Sequence, residues 1–363
     1  MTKQVYTDLR EQLDQYSVGY PSTKSGIELR ILERLFTVEQ AEMFLHLSLM
    51  LETPEAVAQR TGREAESIAE LLEEMARRGL LFRHRKGEVV KYCAVPFVVG
   101  AYEFQLKHID RELAQMFEVY FEEAFLDRIS ESGSPLRTIP VNSSFDARWP
   151  VAPYEDAKTL IKGHDTIAVA ECLCRVQKKL VDEPCDKALE VCMVFGSHAK
   201  FYVENEMARF VSQEEALAVL EACEEAGLVH QPFNSKLVGG MCNCCGDCCA
   251  ALRALKRQAR PIDSVVTNYF ARSDPESCSA CEICIERCQM DAIKIDADEV
   301  SQVDRDRCIG CGLCVTTCPS HSMILERVPE AEQRVPPGSG RAQMTEMAAK
   351  RGTSLFPLSM TKG

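Results

Sequence analysis

The sequence predicts a multidomain α+β protein in three parts: a helical N-terminal domain ending in a basic hairpin, a mixed cysteine-rich middle domain, and a small C-terminal domain. Three observations lead there. Residues 25–100 show helical periodicity that gives way to strand-like alternation. Residues 130–153, with Ser-Gly-Ser-Pro and then Val-Asn-Ser-Ser, hold turn formers without a period and read as a linker. Finally, Cys278, Cys281, Cys284 and Cys288 recur thirty residues later as Cys308, Cys311, Cys314 and Cys318, with Asp291-Ala292-Ile293 and Ser322-Met323-Ile324 following in turn. Two copies of one small unit are in view.

The elements follow in order. Residues 1–24 are a polar lead-in. Thr53-Pro54-Glu55 opens a short helix with a capping residue, a proline at its first position and an early acid. Thr61-Gly62 turns the chain into a second helix over about Glu64–Arg78, and Leu80–Val95 alternates like two strands with Lys86-Gly87 at the tip. Residues 101–129 read as one long helix, with apolar positions at Tyr102, Leu106, Ile109, Leu113, Met116, Tyr120 and Ala124. That seam either packs on its own chain or pairs with a second copy in a homodimer. Residues 154–262 form the cysteine-rich domain and 263–330 the repeat domain. Residues 331–363, with Pro336-Pro337-Gly338-Ser339-Gly340, are expected to be a flexible tail.

Composition narrows the function. The 363 residues are 46% hydrophobic and 27% charged, with a formal net charge of −13. That balance argues against general nucleic-acid binding and suits a basic partner surface. Met1–Tyr20 has no apolar core of a signal peptide, and Cys93–Tyr102 contains Pro96 and is too short for a membrane span. A soluble, cytoplasmic protein is expected. In a reducing compartment, nineteen cysteines, fourteen or more of them in tight groups, read first as metal or cluster ligands and not as disulfides.

The spacing C-x2-C-x2-C-x3-C is that of bacterial ferredoxins, in which three thiolates of one run hold a cubane and the fourth reaches to the other. The reading assigns Cys278, Cys281, Cys284 and Cys318 to one [4Fe–4S] cluster, and Cys308, Cys311, Cys314 and Cys288 to a second. This stretch resembles the two-[4Fe–4S] clostridial-type ferredoxins, so a ferredoxin-like fold is expected there. One departure is visible: Pro319 follows Cys318, but Gln289 follows Cys288. Zinc also takes four thiolates, though not in this interleaved spacing.

The middle set is Cys172, Cys174, Cys185, Cys192, Cys242, Cys244, Cys245, Cys248 and Cys249, four before and five after a helix over about Ser212–Ala226. Nine thiols suffice for one further iron–sulfur cluster with spares, or for two, and zinc competes because the spacing is not that of ferredoxins. The segment resembles the cysteine-rich part of multi-cluster ferredoxin-like proteins of anaerobes. Cys223, on the apolar face of that helix, and Cys93, in a strand, read as core. Arg175 and Lys178–Lys179 would offset cluster charge or, for the lysines, lie exposed.

Residues 25–100 resemble a winged helix-turn-helix domain. Its second helix carries Glu64, Glu66, Glu70, Glu73 and Glu74, and residues 25–103 hold ten basic against thirteen acidic side chains. Acids repel phosphates, so no nucleic-acid partner is expected, despite Arg83, Arg85, Lys86 and Lys91 on the hairpin. No phosphate loop, dinucleotide fingerprint or catalytic triad is present, and the seven histidines are dispersed. The leading expectation is an electron-transfer protein or subunit that serves an oxidoreductase or flavoprotein. A redox-sensing transcriptional regulator is the second reading, and an enzyme with a catalytic cluster in the middle domain the third.

Overall fold

The computed structural model describes residues 2–145 and 151–361. The chain opens on helix α1 (Thr2–Asp14), which buries Leu9 and Leu13, with Tyr16 and Tyr20 buried just beyond it. This departs from the polar lead-in expected over 1–24. The apolar residues stand four apart on one face, so polar neighbours mask them in a linear reading. Helices α2 (Ile27–Leu35) and α3 (Val38–Phe44) follow, the latter started by a Thr37–Gln40 capping box.

Helix α4 (Pro54–Thr61), capped by Thr53, ends at Gly62, whose φ of 69° reverses the chain into α5 (Ala65–Arg77). Strands β1 (Phe82–Lys86) and β2 (Val89–Cys93) form the hairpin, with Phe82 opposite Cys93. Two of its cations, Arg83 and Arg85, are held by carboxylates, while Lys86 at the tip is exposed. Arg83, with only 2% of its side chain exposed, donates to Glu73 at 2.8 Å and to Glu204 at 2.6 Å. Arg85 pairs with the same two carboxylates.

The helix expected over 101–129 starts only at Arg111. Asp110 caps it by accepting from Leu113 N–H at 2.8 Å, and residues 103–105 make a separate 3-10 turn. From there α6 (Arg111–Tyr120) runs through a π-helical turn, Phe121–Phe125, into α7 (Leu126–Ser132). Its seam residues Leu113, Met116 and Tyr120 are buried within the chain itself.

The stretch read as a linker over 130–153 is a packed strap up to Phe145. Arg137 and Ile139 N–H donate to Pro232 and His230, and Val141 N–H to the carbonyl of Cys311. Backbone hydrogen bonds of this kind leave no periodic side-chain pattern, so the segment looks structureless in sequence. The rest of the expected linker, residues 146–150, lies outside the described residues.

After α8 (Ala157–Lys162) the middle region is built on an antiparallel sheet of β3 (Ile167–Glu171), β4 (Glu190–Phe195), β5 (Ala208–Val211), β6 (Val229–Pro232) and β7 (Gly240–Cys244), in the order β5-β3-β4-β7-β6. Helices α9 (Leu173–Leu180), α10 (Gly196–Glu204), α11 (Gln213–Glu225) and α12 (Ala250–Arg257) surround it. One apolar core runs from Val5 to Ala254, so the helical part and the sheet share an interior. Glu118 on α6 ties them, accepting from Gln177 and Lys178 of α9 and from Arg253 of α12. Lys178, allowed for as an exposed residue, is therefore buried and paired.

In the C-terminal part β8 (Tyr269–Ser273) pairs with β11 (Met323–Arg327), and β9 (Ile293–Ile295) with β10 (Ser301–Val303). Two short helices, α13 (Ile283–Arg287) and α14 (Leu313–Thr316), complete it. The expected tail holds two more helices, α15 (Gly340–Arg351), docked on the N-terminal part, and the short α16 (Leu358–Thr361). Gln343 donates to Pro135 O at 2.6 Å, and Arg351 to Asp14 O at 2.6 Å and Ser17 O at 3.0 Å. A dozen scattered polar residues concealed that anchoring. No helix among the described residues is long and apolar enough to cross a membrane.

Candidate metal centres

The internal repeat is a repeat of backbone geometry. Ala280, Glu282 and Asp291 lie at φ of 51°, 63° and 54°, and thirty residues on Gly310, Gly312 and His321 lie at 68°, 74° and 53°. These left-handed positions bend each cysteine loop so that its sulfurs converge. Glycine fills two of them in the second loop because the loop is pressed inward: a Cβ on Gly310 would lie 2.1 Å from the carbonyl of Tyr269, and one on Gly312 would lie 2.3 Å from Ser144 Oγ. The first loop faces outward, with Cys281 exposed.

Cys278, Cys281, Cys284 and Cys318 line one small cavity together with Ser301, Ser320 and Ser322. The other four thiols form a second group: Cys311 and Cys314 both sense Cys308 and Cys288. Burial pushes Cys311 up to about 12, while hydroxyls of Ser320 and Ser322 help hold Cys318 down at about 7. Sulfur acceptors are in place in both groups. Ser301 N–H donates to Cys278 Sγ at 3.4 Å and Ala292 N–H to Cys288 Sγ at 3.3 Å, while Ala271 N–H reaches Cys308 Sγ at 3.4 Å. Four convergent thiols with N–H donors aimed at sulfur suit a thiolate-held cluster.

The sheet gathers the middle cysteines. Cys172 follows β3 and caps α9, Cys192 lies on β4, and Cys242 and Cys244 lie on β7. Met193 stands opposite Met241, which makes Cys192 and Cys242 neighbours across the β4–β7 pair. Cys172 lies close enough to Cys174 and Cys192, Cys192 to Cys242, and Cys244 to Cys242 and Cys249 for each pair to influence one another's ionisation. The neighbouring thiols of Cys172 and Cys242 hold Cys192 below the ordinary thiol range.

The remaining three stand apart. The Sγ atoms of Cys185, Cys245 and Cys248 lie within 4.8 Å of one another. That crowding suits a single tetrahedral ion, whose sulfurs sit about 3.8 Å apart for metal–sulfur bonds of about 2.3 Å. The nine thiols thus divide six and three. Buried Arg175 lies between the sets, donating to Ala188 O and Asn243 O while its charge reaches Cys172, Cys244 and Cys245. Cys93 is buried among apolar neighbours, whereas Cys223 is buried beside Val191 and Leu228 in the same cluster as Cys172, Cys245 and Cys248.

One contact was not anticipated. Gln289, where the repeat breaks its own Cys-Pro pattern, accepts from Gly246 N–H through Oε1 at 2.7 Å. A Cβ on Gly246 would lie 2.6 Å from Gln289 O, so the two backbones touch. The loop after Cys288 therefore abuts the loop holding Cys245 and Cys248. The missing proline was the only sequence signal for this junction.

Comparison with known proteins bears on one part of the chain. No curated protein and no solved structure matches it. Residues 271–325 match the family model described as a 4Fe-4S dicluster domain. The C-terminal part is thus a ferredoxin-like 4Fe-4S dicluster domain, and it supports an iron–sulfur electron-transfer role.

Proposed function

We propose that this chain relays single electrons along a line of sulfur-held centres, from the exposed Cys281 loop inward to the middle sheet. In this reading Cys278, Cys281, Cys284 and Cys318 hold an outer [4Fe–4S] cluster. Cys308, Cys311, Cys314 and Cys288 hold an inner one, and the six-thiol set holds at least one further iron–sulfur cluster. Bound clusters supply reversible one-electron chemistry. The protein's residues do the rest: serine hydroxyls and backbone N–H groups solvate the outer sulfurs, apolar burial keeps water from the inner ones, and Arg175 offsets negative charge in the middle.

The observation that carries the proposal is the Gln289–Gly246 contact, which joins the inner cysteine loop to the middle one. A cytoplasmic oxidoreductase or flavoprotein would dock at the exposed Cys281 face. The helix–turn–helix–hairpin region is winged-helix-like in this reading but not a DNA reader, since Arg83 and Arg85 are engaged by Glu73 and Glu204.

The test uses Gln289→Pro, which restores the repeat pattern and removes the side chain that accepts from Gly246 N–H. In full-length protein purified without oxygen, iron at both dicluster sites should be retained, and the middle centre should be reduced more slowly after a pulse of reductant. Equal rates in variant and wild type, or a middle site without iron, would refute the relay.

A further inference from the structure

A cavity of about 970 Å³ lies between the hairpin with the segment that follows it, the end of β4 with the start of α10, and helix α15. Its walls are mostly apolar, with Phe104, Phe195, Phe233, Val95, Val194 and Leu237 among them. That volume is of the size that encloses a small organic molecule. None of the cysteines assigned to clusters lines it, so it is separate from the centres above. It is nevertheless close to them: Tyr202, part of its wall, senses the charge of Cys192 and Cys242.

Polar groups collect at one end. Thr166, Gly196 and Ser197 line both this cavity and a smaller one of about 150 Å³, whose other walls include Arg83, Arg85 and Lys200. Helix α10 starts at that junction. Its N-cap is Phe195, which offers no side-chain cap; Gly196 N–H donates to Thr166 O at 2.9 Å, and the N–H groups that follow in the first turn of the nine-residue helix are left for another acceptor. His198 lies one position further, its ring stacked 4.8 Å from Phe82 and edge-on to Phe233 at 6.1 Å. Burial lowers its pKa to about 4, so it stands as a neutral imidazole at this end of the cavity. Glu204 is the acid of the smaller cavity, and it is paired with Arg83 and Arg85. Asp165 and Arg341, both exposed, are a further acid and base among the larger cavity's lining residues.

We propose that the cavity binds an amphipathic organic anion, its apolar body between the phenylalanines and its single carboxylate or similar head group at Ser197, Lys200 and the start of α10. Apolar burial supplies affinity, while the helix N-terminus and Lys200 select negative charge. This site stands whether or not the electron relay is correct.

Decanoate and decanol are the probes, titrated by calorimetry into the full-length, anaerobically purified protein. Decanoate should bind at one site and decanol markedly less well. The discriminating variant is Ser197→Glu. An acid in the first turn of a helix favours folding, so this variant should keep or raise the thermal midpoint while weakening decanoate by roughly tenfold or more. Lys200→Glu should weaken decanoate binding as well. No saturable decanoate binding, equal binding of the alcohol, or undiminished binding by a well-folded Ser197→Glu protein would each overturn the proposal. None of these results depends on Gln289, so its failure is distinct from that of the relay.

Discussion

The two copies of the cysteine loop make a paired experiment at Gly310 and Ala280, which occupy the same position of the repeat. Both lie in the left-handed region, at φ of 68° and 51°. Gly310→Ala adds a Cβ that would stand 2.1 Å from the backbone oxygen of Tyr269, with the carbonyl carbon at 2.6 Å. Ordinary contact there needs about 3.4 Å, and a strand backbone cannot swing aside as a side-chain tip can. The loop would have to retreat by roughly 1 Å, carrying Cys308 and Cys311 out of position. Left-handed strain of about 1 kcal/mol adds to the overlap, for a total of about 3–4 kcal/mol. The reverse change, Ala280→Gly, relieves strain in an outward-facing loop and should stabilise by about 0.5–1 kcal/mol. Anaerobic thermal unfolding and iron content measure both. Gly310→Ala should lower the midpoint by several degrees and lose the iron of one site, while Ala280→Gly keeps all of it. A Gly310→Ala protein with full iron and a midpoint within about 1 °C of wild type would show that the inward packing of this loop is not what sets its sequence.

Cys288→Ala should empty the site at Cys308, Cys311 and Cys314 and spare that at Cys278, Cys281 and Cys284; electron paramagnetic resonance showing the opposite loss would reverse the ligand exchange. Ser322→Ala removes a hydroxyl 3.4 Å from Cys318 Sγ. Since such bonds favour the more negative, reduced state, the potential of that site should fall by roughly 20–40 mV in a redox titration, with the other unchanged. Glu103, whose carboxylate accepts from Gly100 N–H at 2.7 Å, is pushed by burial up to about 7. A raised folded-state pKa means the folded protein holds a proton that the unfolded chain has released. Its stabilising effect is therefore complete below about pH 4.5 and lost as pH rises towards 7, an effect of about 3 kcal/mol. Glu103→Gln should flatten the stability profile in that window, and an unchanged profile would place the titration elsewhere.

The ferredoxin-like part was legible because its chemistry is local. Three cysteines within seven residues can reach one metal cluster wherever the loop sits, and the copy thirty residues on declares the partner that closes the fourth corner. Helices α4, α5 and α11 were legible for a similar reason, since Thr53, Gly62 and Ser212 act within one turn of themselves. What the sequence could not show is how nine middle thiols divide. Cys192 and Cys242 meet only because β4 and β7 are neighbours in a sheet whose order follows from packing and not from chain order. The same holds for α1, the strap at 136–141 and α15, whose buried groups acquire partners from residues tens to hundreds of positions away, as Gln12 does from Phe44 and Arg351 from Asp14 and Ser17. Gln289 lies between these cases. Its departure from the repeat was visible in the sequence, but the backbone of Gly246 that explains it comes near only in the folded chain, where contact distance and not sequence separation decides which groups can bond.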